Sequence, residues 1–289
     1  MKTKSIGHIA YASTYNMGGF PVRQPFPSAV IESVDPFLLL HHAEIKVSAG
    51  RPVSQAGVGP HPHRGFSPVT FIFKGGVHHR DSRGNDNIVY EGGVQWMNAG
   101  RGIIHSERPP ADIFEKGGIQ EIIQLWVNTP ARQKMDQPAY FPASKENIPF
   151  IHSTDNLVQV NIVAGRFENI QGPVNALSPL TALTVKIQKH GNYTFRFPSH
   201  HNSFVYILHG KVVVNKAEQA QEKHAVIFNN DGDAFTLYAE EDTQLLIAAA
   251  EPLNEPVASN GPFVMNNETE ILEAFRDYNM GKMGVLIEN

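Results

Sequence analysis

The sequence predicts an all-β protein, a sandwich or barrel, on three observations. Its apolar runs are short, and Gly, Pro, Asn or Asp bound them. Several alternate, as Thr184-Val185-Lys186-Ile187-Gln188 does, with apolar side chains to one face and polar ones to the other. The 24 glycines and 20 prolines are spread between the runs, where turns belong.

In chain order the expected strands are Phe37–Leu40, Val69–Phe73, Ile119–Val127, Leu157–Val163, Thr181–Ile187, Ser203–Leu208, Lys211–Val214, Ala225–Phe228 and Gln244–Ala250. A short helical turn is expected at Ala111–Lys116. One longer helix is expected at about 267–280. Asn267 reads as its N-cap, Glu270 as the capping-box glutamate, and Ile271, Phe275 and Tyr278 as its apolar stripe. Gly281 can end it in a left-handed cap.

At 289 residues the chain exceeds what one core usually organises. The polar, proline-bearing stretch Thr129–Pro149 is the candidate linker, so two domains are expected, 1–134 and 135–289, the second ending in the helix. A faint echo joins them. Phe71-Ile72-Phe73-Lys74-Gly75 resembles Tyr206-Ile207-Leu208-His209-Gly210, and Val94–Asn98 resembles Val226–Asn230, at offsets of 135 and 132.

Composition excludes much. With no cysteine there is no disulfide scaffold, thiolate zinc site, iron–sulfur cluster or cysteine nucleophile. A net charge of −4 gives no basic field for direct nucleic-acid binding. No signal peptide is visible in Met1–His8, and no uncharged apolar run nears the ~20 residues that span a bilayer. A cytoplasmic protein without a membrane partner is the expectation.

Histidine is the unusual residue, with 14 copies. His61-Pro62-His63 and His105-Ser106-Glu107 each place two donors at i and i+2, on one face of an extended segment. Two neighbouring strands can thus present three imidazoles and a carboxylate, a set suited to divalent iron, manganese, nickel, copper or zinc. A six-coordinate ion would keep two positions for a substrate and a second reactant. Gly92, Gly93, Gly100 and Gly102 before the second pair are what tight turns in a small barrel need.

These residues resemble the cupin superfamily, and within it the pirin family. His61-Pro62-His63-Arg64-Gly65-Phe66 and Gln95-Trp96-Met97 through Gly100-Arg101-Gly102-Ile103-Ile104-His105-Ser106-Glu107 match its two signatures. Similar too are His79-Arg80-Asp81-Ser82 with Gly84, Gln124-Leu125-Trp126-Val127-Asn128, and Gly261-Pro262-Phe263-Val264-Met265-Asn266. The resemblance implies two tandem cupin (double-stranded β-helix) barrels, with one divalent metal ion, in the first only. Its ligands by motif match are His61, His63, His105 and Glu107. The family usually holds iron, expected as Fe(II), with Mn, Ni, Cu, Co and Zn as the other candidates. The glutamate that most cupins carry after the first His pair is absent, and Glu107 supplies the carboxylate.

Two functions follow from the resemblance. One is a quercetin 2,3-dioxygenase-like enzyme that opens a flavonol ring with O2 and releases CO, Glu107 serving as catalytic base. The other is an iron-containing, redox-sensitive regulatory module that binds a protein partner. In the second half the 135 offset sets Arg196, Pro198, Glu240 and Asp242 opposite the ligands, and the 132 offset sets Tyr193, Phe195, Leu237 and Ala239 there. Neither is a ligand set, so that barrel is expected to be structural. Among the rest, His79 is a candidate for the site entrance, and Arg64 and Arg101 for substrate anions or salt bridges. The pair His41-His42 is expected half-buried, His78 exposed, and Trp96 and Trp126 in the core.

Overall fold

The computed structural model describes residues 1–17, 19–50 and 56–288. All nine expected strands form, most of them extended by a residue or more at their ends. The short helix is found at Ala111–Lys116, and no described helix is long and apolar enough to cross a membrane.

The chain folds into two compact units, each assembled from two separate stretches of sequence. One contains Met1–Leu40 with Glu146–Leu253, the other His41–Lys145 with the segment from Asn254 onward. The sequence expectation of a single cut at 134/135 differs from this, for two physical reasons. Strand Ile6–Tyr11 pairs antiparallel with His224–Phe228, deep in the second half of the chain. The C-terminal helix packs Ile271 and Ala274 on Phe263, Met265, Met283 and Ile104, so it belongs with the first half. The expected linker is no spacer. Strand Ala139–Ala143 within it pairs with Val94–Asn98. The buried Lys134 donates from Nζ to Gly65 O (2.6 Å), Asn128 Oδ1 (2.6 Å) and Val264 O (3.2 Å).

In the unit built on His41–Lys145, a four-stranded antiparallel sheet runs in the order Val58–His63, Ile103–Arg108, Gly76–Asp81, Asp86–Tyr90. A second sheet includes Ala139–Ala143, Val94–Asn98, Phe66–Lys74 and Gly118–Asn128, again antiparallel. The helix spans Glu268–Asn279. Asn267 Oδ1 accepts from Glu270 N at 3.0 Å, while the Glu270 carboxylate reaches Asn266 N at 2.9 Å, one residue before the cap.

The other unit repeats the plan. Its four-stranded sheet runs Asn192–Arg196, Ala234–Ala239, Lys211–Val214, Glu218–Gln221. Its larger sheet runs Ile6–Tyr11, His224–Phe228, Asn202–His209, Thr243–Ala250, Leu180–Ile187, Val158–Ala164, Phe150–His152. Val160, Val185, Val205 and Ile247 of the larger sheet meet Phe195, Val212, Phe235 and Leu237 of the smaller in one core.

The small sheet of this unit keeps the cross-strand pairing of the first. His105 pairs with His61 in one; in the other Phe235 pairs with Phe195, and Leu237 with Tyr193, the pair that the 132 offset names. Phe195, Phe197, Phe235 and Leu237 are buried in the core. Rings 195 and 197 lie 5.6 and 5.9 Å from ring 235. None of these four side chains is a metal ligand.

Candidate metal centre

His61 and His63 lie on strand Val58–His63 and His105 and Glu107 on Ile103–Arg108, which is its neighbour. The pairing slips between His105 and Glu107, which face His61 and Val58 across the ladder. Pairing of the same strand with Gly76–Asp81 is regular there, so His105 and Glu107 keep one face. Donor nitrogens of His61, His63 and His105 all lie within 4.8 Å of one another. Glu107 is outside that group. Its Oε1 accepts from Thr70 Oγ1 and its Oε2 from Gln124 Nε2, both at 2.6 Å, on the facing sheet.

The tautomers of two histidines follow from their carbonyl partners. His61 Nδ1 donates to Gly59 O at 2.8 Å, and His63 Nδ1 donates to Pro262 O at 3.2 Å. When neutral, each ring then has a bare lone pair on Nε2. Those two Nε2 atoms are 3.0 Å apart, with no hydrogen to share. Bonds of about 2.1 Å at right angles to one cation place two nitrogens about 3.0 Å apart. His105 Nε2 is likewise buried without a hydrogen-bond partner among the described residues. The donor set fits a divalent metal ion.

Electrostatics agree with the geometry. Burial holds the His61, His63 and His105 imidazoles below the ordinary histidine range, and neighbouring imidazoles push His63 and His105 the same way. Neutral imidazole is the ligating form.

The distant segment near Pro262 supports this cluster. Val264 N donates to Arg64 O at 3.0 Å, and Gly65 carries φ of +83° with the Val264 carbonyl where a Cβ would sit. Only glycine permits so close an approach. That is the physical content of the Gly261–Asn266 motif, which sequence spacing could not connect to His63.

Known proteins place the chain. The Pirin family model matches residues 19–127, and the model of the Pirin C-terminal cupin domain matches residues 182–284. Pirin-1 of Arabidopsis thaliana is 37% identical over 257 residues, covering 87% of this chain and 84% of that protein. The chain belongs to the pirin family. Among solved structures, the quercetin 2,3-dioxygenase of Acinetobacter baumannii superposes with a TM-score of 0.92 at 37% identity, covering 99% of this pirin and all of that chain. The Escherichia coli pirin YhhW, solved in complex with nickel(II), shares the fold at a TM-score of 0.66 and 18% identity, over 85% of this chain and 99% of that one. The chain is thus a bicupin of the pirin type.

The remaining sequence candidates divide. Arg64 is buried, donating from Nε to Arg101 O (2.7 Å) and pairing through Nη2 with Asp277 (3.0 Å), so it is structural. Arg101 is exposed. His41 and His42 are fully buried rather than half-buried, with His42 on Glu121 at 3.1 Å. His78 is only partly exposed and bonds Asp86. Trp96 is core, whereas Trp126 is half-buried, 5.5 Å from the His63 ring and 4.2 Å from Phe66. His79 is not at an entrance. It is buried behind His105, stacked on Tyr140 at 4.0 Å and bonded to Asp81.

Proposed function

We propose that this pirin is a mononuclear iron dioxygenase that opens a flavonol ring. The observation that carries the reading is a trio of neutral imidazoles, His63 and His105 buried and His61 half-buried, two with facing bare nitrogens 3.0 Å apart, beside a carboxylate and the Trp126 ring. His61, His63 and His105 would hold Fe(II), with Glu107 as the fourth donor. A bound ion supplies a Lewis-acidic, redox-active centre for a flavonol oxygen and O2.

The chain's own residues do the rest. Glu107 takes the proton from the flavonol 3-hydroxyl, the step for which it is the base. A carboxylate clamped by a dication is a poor base. Here Thr70 and Gln124 hold both oxygens from the facing sheet, so the carboxylate keeps its aim without depending on a metal bond. Trp126, half-buried between the His63 ring and the buried Phe66, offers an aromatic face to a substrate. In the overall reaction both atoms of O2 enter the ring-opened ester and carbon 3 leaves as CO.

The test is anaerobic loading with Fe(II), then quercetin and air, with CO and flavonol followed together. One CO per flavonol consumed is expected. Loaded protein that releases none overturns the enzyme reading in favour of a redox-read binding module.

A further inference from the structure

His61 and His63 owe their bare Nε2 atoms to carbonyl acceptors, but among the described residues no carbonyl accepts from His105 Nδ1. Its partner is His79 Nδ1, 3.5 Å away. A nitrogen facing a nitrogen is ambiguous until the far end of the second ring is considered. His79 Nε2 lies 3.0 Å from Asp81 Oδ2. That carboxylate also accepts from Asn85 Nδ2 (2.7 Å), Arg83 N (2.8 Å) and Asn85 N (3.1 Å), all of them donors. Both His79 and Asp81 are buried, at 1% and 3% exposure.

We infer that His79 is a positioning residue which, through Asp81, fixes the tautomer of His105 and leaves the His105 Nε2 lone pair free for a metal. An acceptor-only carboxylate requires the hydrogen on His79 Nε2. When neutral, the His79 ring then shows His105 a lone pair at Nδ1. Two lone pairs would repel, so His105 carries its hydrogen on Nδ1 and none on Nε2. The proton count is the same in either tautomer; only the location of one hydrogen is chosen. Tyr140, stacked at 4.0 Å and 7° on His79, keeps that ring from turning. The inference rests on the metal reading for its affinity arm alone. Outer partners of this kind typically govern ~10- to 100-fold in metal affinity.

The test uses the full-length metal-free protein labelled with 15N at histidine. Long-range 1H–15N spectra separate the two tautomers of His105, and the Nδ1–H form is expected. His79→Phe keeps the stack on Tyr140 but removes the acceptor. In Asp81→Asn the amide can donate to Nε2 and so reverse His79. Either variant should move His105 toward the Nε2–H form and weaken Ni(II) binding by about 10- to 100-fold. A wild-type His105 in the Nε2–H form overturns the inference whatever the variants do. Variants that keep both tautomer and affinity overturn it too. If wild type shows the Nδ1–H form yet binds no metal, the metal reading fails and the tautomer relay stands.

Discussion

Replacing Glu107 by glutamine separates its proton chemistry from its packing. The carboxylate accepts two bonds at 2.6 Å, from the Thr70 hydroxyl and the Gln124 amide. An amide accepts at one end only. Gln124 cannot flip to suit it without losing the bond its Oε1 accepts from Trp126 Nε1 at 3.1 Å. The Thr70 hydroxyl can rotate, so the new amide turns its oxygen to Gln124 and its NH2 to Thr70 Oγ1. Both contacts survive, but neither is assisted by charge. A hydrogen bond to a charged group is worth ~1.5–3 kcal/mol and a neutral one ~1, so over two bonds the variant should lose about 1–4 kcal/mol and remain folded. The amide has no basic oxygen at neutral pH. CO release from iron-loaded Glu107→Gln should therefore fall by roughly 10²-fold or more, while metal content, measured on the same sample, falls only modestly. Wild-type turnover by the fully loaded variant would remove Glu107 as the base.

Other expectations are as direct. Elemental analysis should find close to one metal per chain, since the second barrel's small sheet buries Phe195, Phe197, Phe235 and Leu237, none of them a ligand; two per chain would contradict that. His63→Ala should abolish most of the binding. Burial holds the His41 imidazole down at about 4, from an ordinary 6.5. Because the folded value of this base is depressed, its neutral form favours the folded state above pH 6.5, and that contribution is lost as pH falls toward 4, about 3 kcal/mol in all. Urea midpoints of metal-free protein near pH 7.5 and 4.5 should drop less for His41→Gln than for wild type, and equal drops would reject the assignment. Gly65→Ala meets both the φ of +83° and the Val264 carbonyl, so its melting temperature should fall by the equivalent of about 2 kcal/mol or more. An unchanged melting temperature would show that the segment yields freely.

Local signals carried most of the architecture. Alternation and turn residues marked the strands because each depends only on its own few residues. The helix was legible through Asn267 and Glu270 for the same reason. The three-histidine cluster was legible because a strand puts i and i+2 on one face, so His61-x-His63 needs no tertiary knowledge. What escaped the sequence depends on contacts between distant residues. Nothing near His8 says that its strand pairs with His224–Phe228, and nothing near Pro262 says that its carbonyl fixes His63. The compact units differ from a single cut at 134/135 for that reason. So did the reading of His79 as an entrance residue, since its burial is set by Tyr140 and Asp81 closing on it.

The return of the C-terminal segment to the unit that carries the three histidines also has a consequence for synthesis. His61, His63 and His105 leave the ribosome more than 150 residues before Pro262 and Val264, the residues that orient His63 and brace Arg64. At ~5–20 residues per second the imidazoles wait on the order of ten seconds or more for their support. During that interval three histidines are present without their final geometry, and any metal they meet is held by a looser, less selective set. Whatever metal selectivity the three imidazoles have therefore depends on the late segment, and is complete only once that segment has docked.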